Sequence, residues 1–540
     1  MLIGSKVSSG IAIGKAFVIK EEEFNIIKIV VKDELKELER FNEAVQKGMK
    51  ELHKVEKNKD IFESHLMILE DPEFVGSIRE KILDEKVNSE YAVQTVIDKL
   101  IKIFKEIEDE YIKERISDIK DVGSRILSIL KGESENFINV VEKDSIIIGK
   151  DITPSQTAQM KRKKVLGFAT EIGGVTSHSA IIGRNLGIPV VVGIKNLLNE
   201  VNTGDLIILD GNKGIIIINP DEETLEVYRK EINKIQEEKN ELLNYKNLTT
   251  FTLDLKRLQV NGSIGNLKEA EDVNKNGGEG IGLFRTEFLY MENDGLPSEE
   301  EQFNKYKEVL KKFKDKPVVI RTLDIGGDKK LSYLPMEEEL NPFLGLRAIR
   351  LCLNRKDIFK TQLRALLRAS IYGNLQIMFP MICNLNELRK AKKLLDECKV
   401  ELEEDNIKYN KNLLVGIMIE VPSAAIISDI LAKEVDFFSI GTNDLMQYTL
   451  AVDRTNEKIS YLYDFNDLAV LRLIKLVIEN AHKAGIPVGM CGEMASREEL
   501  IPLLIGMGLD EFSVSPSSIL KIRKIIRSLN YIKCKRMVVF

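Results

Sequence analysis

Apolar positions change their spacing several times along the chain, and each change marks a different kind of structure. The first twenty residues alternate apolar and small side chains around glycines, which predicts short strands. From about Val31 to Lys131 the spacing shifts to three and four. Leu35, Leu38, Phe41, Val45, Met49, Leu52 and Val55 set it, and Phe104, Ile107, Tyr111, Ile116, Ile119, Ile126 and Leu130 resume it. These are amphipathic helices, and their charged outer faces need no role beyond solvation.

After Gly132 the strand pattern returns, with apolar runs at Ser145–Ile148, Val190–Val192, Leu206–Leu209 and Ile215–Ile218 and glycines between them. The simplest account is one β/α domain made of residues 1–24 and 133–221, with a helical domain, 25–132, inserted into it. Residues 222–250 read as a linker helix, because Leu225, Tyr228, Ile232 and Ile235 form only a narrow apolar stripe. The same segment reads equally as the first helix of the next domain.

Residues 251–540 repeat short apolar runs followed by helical text. Candidate strands fall at Leu258–Gly262, Gly280–Phe284, Pro317–Arg321, Gln376–Pro380, Leu414–Ile419, Asp436–Ile440, Pro487–Cys491 and Glu511–Val514. Eight βα units over about 290 residues match a (β/α)8 barrel. A doubly wound sheet is the alternative, but no GxGxxG opens the zone. The expected fold is therefore a multidomain α/β chain: a β/α domain with a helical insert, then a barrel.

Composition narrows the class. A chain of 540 residues has room for three or four domains. Its 79 Lys and Arg against 85 Asp and Glu leave a net charge of −6, which argues against binding nucleic acid by bulk charge. No apolar run approaches the ~18 residues that span a bilayer, and no basic, apolar leader opens the chain. Five cysteines without a CxxC pair suit free thiols in a reducing cytoplasm.

In such barrels chemistry gathers at the C-terminal strand ends. On the strands above, these ends carry Asn261, Arg285, Arg321, Glu420, Asn443, Asp444 and Cys491, with Arg454 following. Glu420 and Asp444 are hard oxygen donors on adjacent strands, the usual way to hold Mg²⁺. Several arginines imply a substrate with more than one negative group. Singly, each is equally a surface ion pair or a solvated carboxylate, and the convergence on one rim carries the inference.

A second segment, Gly173-Gly174-Val175-Thr176-Ser177-His178-Ser179-Ala180, places His178 where a helix starts. Free N–H groups there favour an anion, and a neutral imidazole could carry a phosphoryl group. The ordinary alternative is an N-cap. His53 and His482 lie on charged helix faces, and His65 sits beside an apolar cluster where core packing is the simpler reading.

Taken together, these motifs resemble the enzyme I family of the bacterial sugar phosphotransferase system. GGVTSHSAIIGRNLGIPVVVG is similar to that family's phosphohistidine loop, and VDFFSIGTNDLMQYTLAVDR to its second signature. GLFRTEFLYM, VIRTLDIGGDK, NPFLGLRAIR, IMIEVPSAA and GMCGEMAS add matches in the same order. The resemblance implies that His178 is phosphorylated at Nε2 by phosphoenolpyruvate and passes the group to the phosphocarrier HPr. It implies Mg²⁺ on Glu420 and Asp444, and phosphoenolpyruvate on Arg285, Arg321, Asn443 and Arg454. Arg347 would support the phosphate side, Thr157 would hydrogen-bond the histidine, and Cys491 would protonate the enolate. The helical insert would dock HPr, with Met67, Ile68, Phe74 and Arg115 as candidate face residues. A homodimer through the barrel and a cytoplasmic location, without nucleic acid or membrane, complete the expectation.

Departures are few. Met446 replaces the usual Thr, the loop Asp464-Phe465-Asn466-Asp467-Leu468 lacks prolines, and the family's further C-terminal helix is expected to be missing after Phe540. A dikinase or synthase sharing the histidine loop would need an ATP-binding domain where the helical insert stands. A non-catalytic scaffold would not need the metal pair, and a barrel-only lyase would leave His178 idle.

Overall fold

Strand β3 (Ile11–Val18) ties the beginning of the chain to segments more than a hundred residues away, pairing in parallel with β4 (Ser145–Gly149) and antiparallel with β7 (Leu206–Asp210). The structure is a computed structural model. It describes residues 1–19, 26–53, 59–105, 110–132, 144–152, 165–174, 180, 183–184, 187–291, 293, 295–327, 329, 331, 333–334, 337, 339–454, 456 and 458–539, without the side chains of 53, 59–64, 105, 110–115 and 117. The chain divides into two units, Met1–Ile235 and Gln236–Phe540.

In the first unit, β1 (Leu2–Ile3), β2 (Ser5–Ser8), β5 (Gly167–Thr170), β6 (Val190–Val192) and β8 (Ile215–Ile218) join those three strands. Among the described residues they form one eight-stranded sheet in the order β1-β8-β7-β3-β4-β5-β6-β2. The four later apolar runs read from the sequence are strands β4, β6, β7 and β8. Strand β5 was not foreseen, because Gly-Phe-Ala-Thr has no run of β-branched residues. Burial between β4 and β6 makes it a strand.

Between β3 and β4 the chain forms helices α1 (Glu34–His53), α2 (Lys59–Glu70), α3 (Pro72–Glu85), α4 (Ser89–Lys105) and α5 (Glu110–Lys131). Their stripes meet in one core around Phe41, Val45, Leu52, Ile119, Ile126 and Leu130, as the spacing required. Leu35 departs from it; at the first turn of α1 it is 69% exposed. Helix α3 starts sharply, because the Asp71 side chain accepts from Glu73 N and Pro72 stands at the first helical position. Residues Glu222–Leu243 form helix α6, with only Leu225 and Tyr228 buried.

The second unit contains a closed, all-parallel barrel: β9 (Gln259–Ile264), β10 (Ile281–Arg285), β11 (Pro317–Arg321), β12 (Asn374–Phe379), β13 (Leu414–Ile419), β14 (Phe438–Gly441), β15 (Val488–Cys491) and β16 (Glu511–Val514). Each overlaps a strand foreseen from the sequence. The parallel pairing requires a crossover after each strand, so the strand ends all open at one rim. No helix of the described residues is long and apolar enough to cross a membrane.

Candidate active site at the barrel mouth

Parallel strands deliver their last residues to one place. Arg285 closes β10, Arg321 closes β11, Glu420 follows β13, and Cys491 closes β15. Helix α7 (Thr442–Leu450) begins directly after β14, which puts Asn443 and Asp444 in its first turn at the same rim. Asn261 is a correction. Strand β9 runs on to Ile264, so Asn261 is fully buried in mid-strand and does not reach the mouth. Gly262 looked like a strand end, but it is glycine because a Cβ there would collide with Val273 of the covering helix.

A buried charge network organises the rim. Arg321 Nη2 contacts Glu287 and lies 3.0 Å from Asp324 Oδ2. Arg347 is 1% exposed; it donates to Asp324 Oδ1 at 2.9 Å and to the Tyr448 hydroxyl at 3.1 Å, and it reaches Asp444 Oδ1 at 3.4 Å. Lys329 Nζ adds contacts at 3.2 Å to Glu287 and 3.3 Å to Asp324. Burial by itself would raise the Asp324 carboxyl, but Arg321, Lys329 and Arg347 outweigh it and hold that carboxyl well below the usual range.

Glu420 has the opposite balance. It is 1% exposed, and burial, then Asp444 and Asp324, push its carboxyl up against the opposing pull of Arg321 and Arg347. Its Oε1 accepts from Met381 N at 2.6 Å. Two carboxylates held so that one resists ionisation are a donor set a divalent cation would relieve. Among the described residues no third Asp, Glu, His or Cys completes a protein cage.

Among the described residues Arg285 lacks the carboxylate partners that Arg321 and Arg347 have. Its Nε is buried without a hydrogen-bond partner among the described residues, and its guanidinium lies 5.3 Å from the Phe288 ring centroid. A guanidinium with an open donor at the rim has the chemistry to take an anion. Arg454 stands 3.9 Å from Asp444 Oδ1. Asn443 Oδ1 accepts from Glu493 N at 3.1 Å, and its backbone carbonyl accepts from the Tyr463 hydroxyl at 2.9 Å. The turn that closes over it needs Gly492 at φ +97°, where a Cβ would stand 2.5 Å from Thr442 Oγ1 and 2.9 Å from Asn443 Oδ1.

Cys491 is buried at the same rim. Ser439 Oγ donates to its Sγ at 3.6 Å, and the thiol faces the Ile440 carbonyl at 3.6 Å. Burial pushes the thiol up to about 11, so it holds its proton at neutral pH.

The structure thus brings together Arg285, Arg321, Arg347, Glu420, Asn443, Asp444, Arg454 and Cys491. His178 and Thr157 lie outside the described residues, as does the side chain of Arg115. In the helical insert Met67 is 66% exposed and Ile68 half-buried, whereas Phe74 is 4% exposed within the helix core. Asp324, Glu287, Lys329 and Tyr448 were given no role from the sequence. They stand inside VIRTLDIGGDK, GLFRTEFLYM and the second signature, so the only available signal was motif membership.

A closed parallel barrel with arginines and a carboxylate pair at its mouth belongs to a class of enzymes acting on anionic substrates. Family models specify that class. "PEP-utilising enzyme, PEP-binding domain" matches residues 239–531, "PEP-utilising enzyme, N-terminal" matches 3–115, and "PEP-utilising enzyme, mobile domain" matches 141–214. A phosphoenolpyruvate-protein phosphotransferase of Priestia megaterium is 49% identical over 536 residues, covering 98% of this chain and 94% of its own. Those of Staphylococcus carnosus and Bacillus subtilis are each 48% identical, covering 99% and 98% of this chain and 95% and 94% of theirs. The chain belongs to the phosphoenolpyruvate-protein phosphotransferase family.

Proposed function

We propose that this chain is the general phosphotransferase of a sugar phosphotransferase system. It takes the phosphoryl group of phosphoenolpyruvate onto His178 Nε2, releases pyruvate, and passes the group to a histidine of HPr. The observation that carries this reading is Arg285, with its open donor, at one rim with the Glu420 and Asp444 carboxylates. The relatives' names support it, and the histidine loop between Gly173 and Ala180 supplies the acceptor.

In this reading Arg285, Arg321, Arg454 and Asn443 grip the phosphate and carboxylate of the substrate. Arg347 positions Asp444 and Asp324, and Thr157 orients the histidine. Glu420 and Asp444 would hold Mg²⁺. When bound, that ion supplies positive charge against the phosphoryl oxygens and the developing enolate. His178 Nε2 attacks phosphorus in line as the bond from phosphorus to the enol oxygen breaks, leaving the enolate of pyruvate; the Cys491 S–H bond then breaks as the C3–H bond of pyruvate forms. One histidine then serves two sites in turn, so residues 1–24 and 133–221 act as a carrier on the 222–250 linker. Residues 25–132 act as the HPr dock, with Met67 the candidate that stands in solvent. Residues 251–540 carry the substrate site and the homodimer contact, in the cytoplasm.

Radiolabelled phosphoenolpyruvate tests this, with and without Mg²⁺, on wild type and His178→Ala, followed by HPr. Mg²⁺-dependent label that is lost in the variant and moves to HPr is the expected result. Label that stays on His178 assigns another acceptor, and no label on folded protein overturns the reading.

A further inference from the structure

Beneath the Cys491 thiol the barrel interior turns polar. Strand side chains alternate, and Val319, Met378, Met418, Phe437 and Cys491 form an inner cluster separate from the outer core. Two residues below Cys491 on β15 is Gly489. It stands in one row with Ser439 of β14 and Glu511 of β16. Gly489 has no side chain, so Ser439 and Glu511 face each other across bare backbone; a Cβ there would lie 3.4 Å from Glu511 Cδ.

Space for that carboxyl is built from a second strand as well, since a Cβ at Gly282 would collide with Glu511 Oε1. Asn261, fully buried on β9, turns its amide toward the Glu511 carboxyl. Ser439 Oγ reaches Cys491 Sγ at 3.6 Å. Glu511 is the first residue of β16 and partly exposed, so it meets solvent at the end of the barrel opposite the mouth.

We propose that Glu511 is the proton relay that restores the Cys491 thiol from the barrel floor, through Ser439 and water over Gly489. This rests on Cys491 being the acid of the proposed reaction. When Cys491 gives its proton to C3 of the enolate, a thiolate remains. The Glu511 O–H bond then breaks, the Cys491 S–H bond reforms through the Ser439 hydroxyl, and the Glu511 carboxylate takes a proton from solvent. Burial pushes the Glu511 carboxyl up to about 7; the Asn261 amide opposes this, and Asp510 and Glu279 add to it. Asp510 is itself paired with His482 and Lys256, and Glu279 with Arg257 and Arg523. A group titrating near neutrality both gives and regains a proton readily.

The test is deuterium exchange into the methyl group of pyruvate in D₂O with Mg²⁺, followed by proton NMR. It uses wild type, Cys491→Ala, Glu511→Gln and Ser439→Ala, each checked by its melting curve. Cys491→Ala should lose exchange. Glu511→Gln should slow it on the order of a hundredfold, with KM for phosphoenolpyruvate unchanged and the neutral inflection of the pH profile gone. Wild-type exchange in Glu511→Gln, beside a dead Cys491→Ala, overturns the relay and leaves Cys491 as the acid. Exchange that survives Cys491→Ala overturns that reading and the relay with it. If Glu511→Gln fails to melt cooperatively, Ser439→Ala decides: slowed exchange supports the relay and the wild-type rate overturns it.

Discussion

The Arg347 guanidinium donates to Asp324 Oδ1 at 2.9 Å, with both side chains 2% exposed. The same guanidinium reaches Asp444 Oδ1 at 3.4 Å, so one buried cation links the loop after β11 to the first turn of α7. Its position is reinforced by Gly326, at φ +113°, where a Cβ would collide with Arg347 Cβ. Arg347 therefore acts on the rim by placing carboxylates. Asp324, in turn, neutralises two buried arginines at once.

Asp324→Asn should be strongly destabilising. It leaves Arg321 and Arg347 buried with one carboxylate fewer each, a loss of about 3–5 kcal/mol, read by urea unfolding. Asp324 is depressed in the folded state, so its contribution is present above the unfolded value and lost as pH falls below it. Wild-type stability should accordingly fall below about pH 4, and the variant should show less of that fall.

Metal binding should release a proton. Glu420 is raised by burial and by Asp444 and Asp324, and a ligated carboxylate must be ionised. Mg²⁺ affinity should rise with pH, and calorimetric titration in two buffers of different ionisation enthalpy should show the proton. Glu420→Gln should weaken Mg²⁺ binding by at least about tenfold; equal affinity would remove Glu420 from the donor set.

Gly492→Ala should damage substrate binding more than stability. The left-handed backbone and a Cβ 2.9 Å from Asn443 Oδ1 force the asparagine to move. The strain costs about 1–3 kcal/mol, and KM for phosphoenolpyruvate should rise in a coupled assay.

Glu511 predicts a stability slope of the opposite sign to Asp324. Its folded value of about 7 lies above the unfolded one, so the folded state binds the extra proton between them. Wild-type stability should therefore decline as pH rises from about 5 to 7. Glu511→Gln should reduce that decline, leaving the share that the raised Glu420 carboxyl adds, and equal or exceed wild type at pH ~8, as read by melting temperatures across the range.

Much of the barrel was legible because its signal is local. Each apolar run, such as Pro317–Arg321 or Leu414–Ile419, is a strand by its own composition and length, and the structure keeps both at the expected bounds. The rim followed, since a strand's last residue is known once the strand is known. Asn261 shows where this fails. Whether Gly262 ends a strand or continues it depends on how closely Val273 packs, and no local pattern carries that distance.

By itself the sequence determined the helix stripes, the eight barrel strands, the polar set at their ends apart from Asn261, and the family-specific motifs. These depend on spacing within a few residues, and a period can be read from text. Only the tertiary structure decided that β3 lies between β4 and β7, that β5 is a strand, and that Arg321 and Arg347 share Asp324. It also decided that Glu511 faces Ser439 across Gly489. Strand pairing and the cost of a buried charge are set by neighbours tens to hundreds of residues away, and those neighbours exist only once the chain has folded.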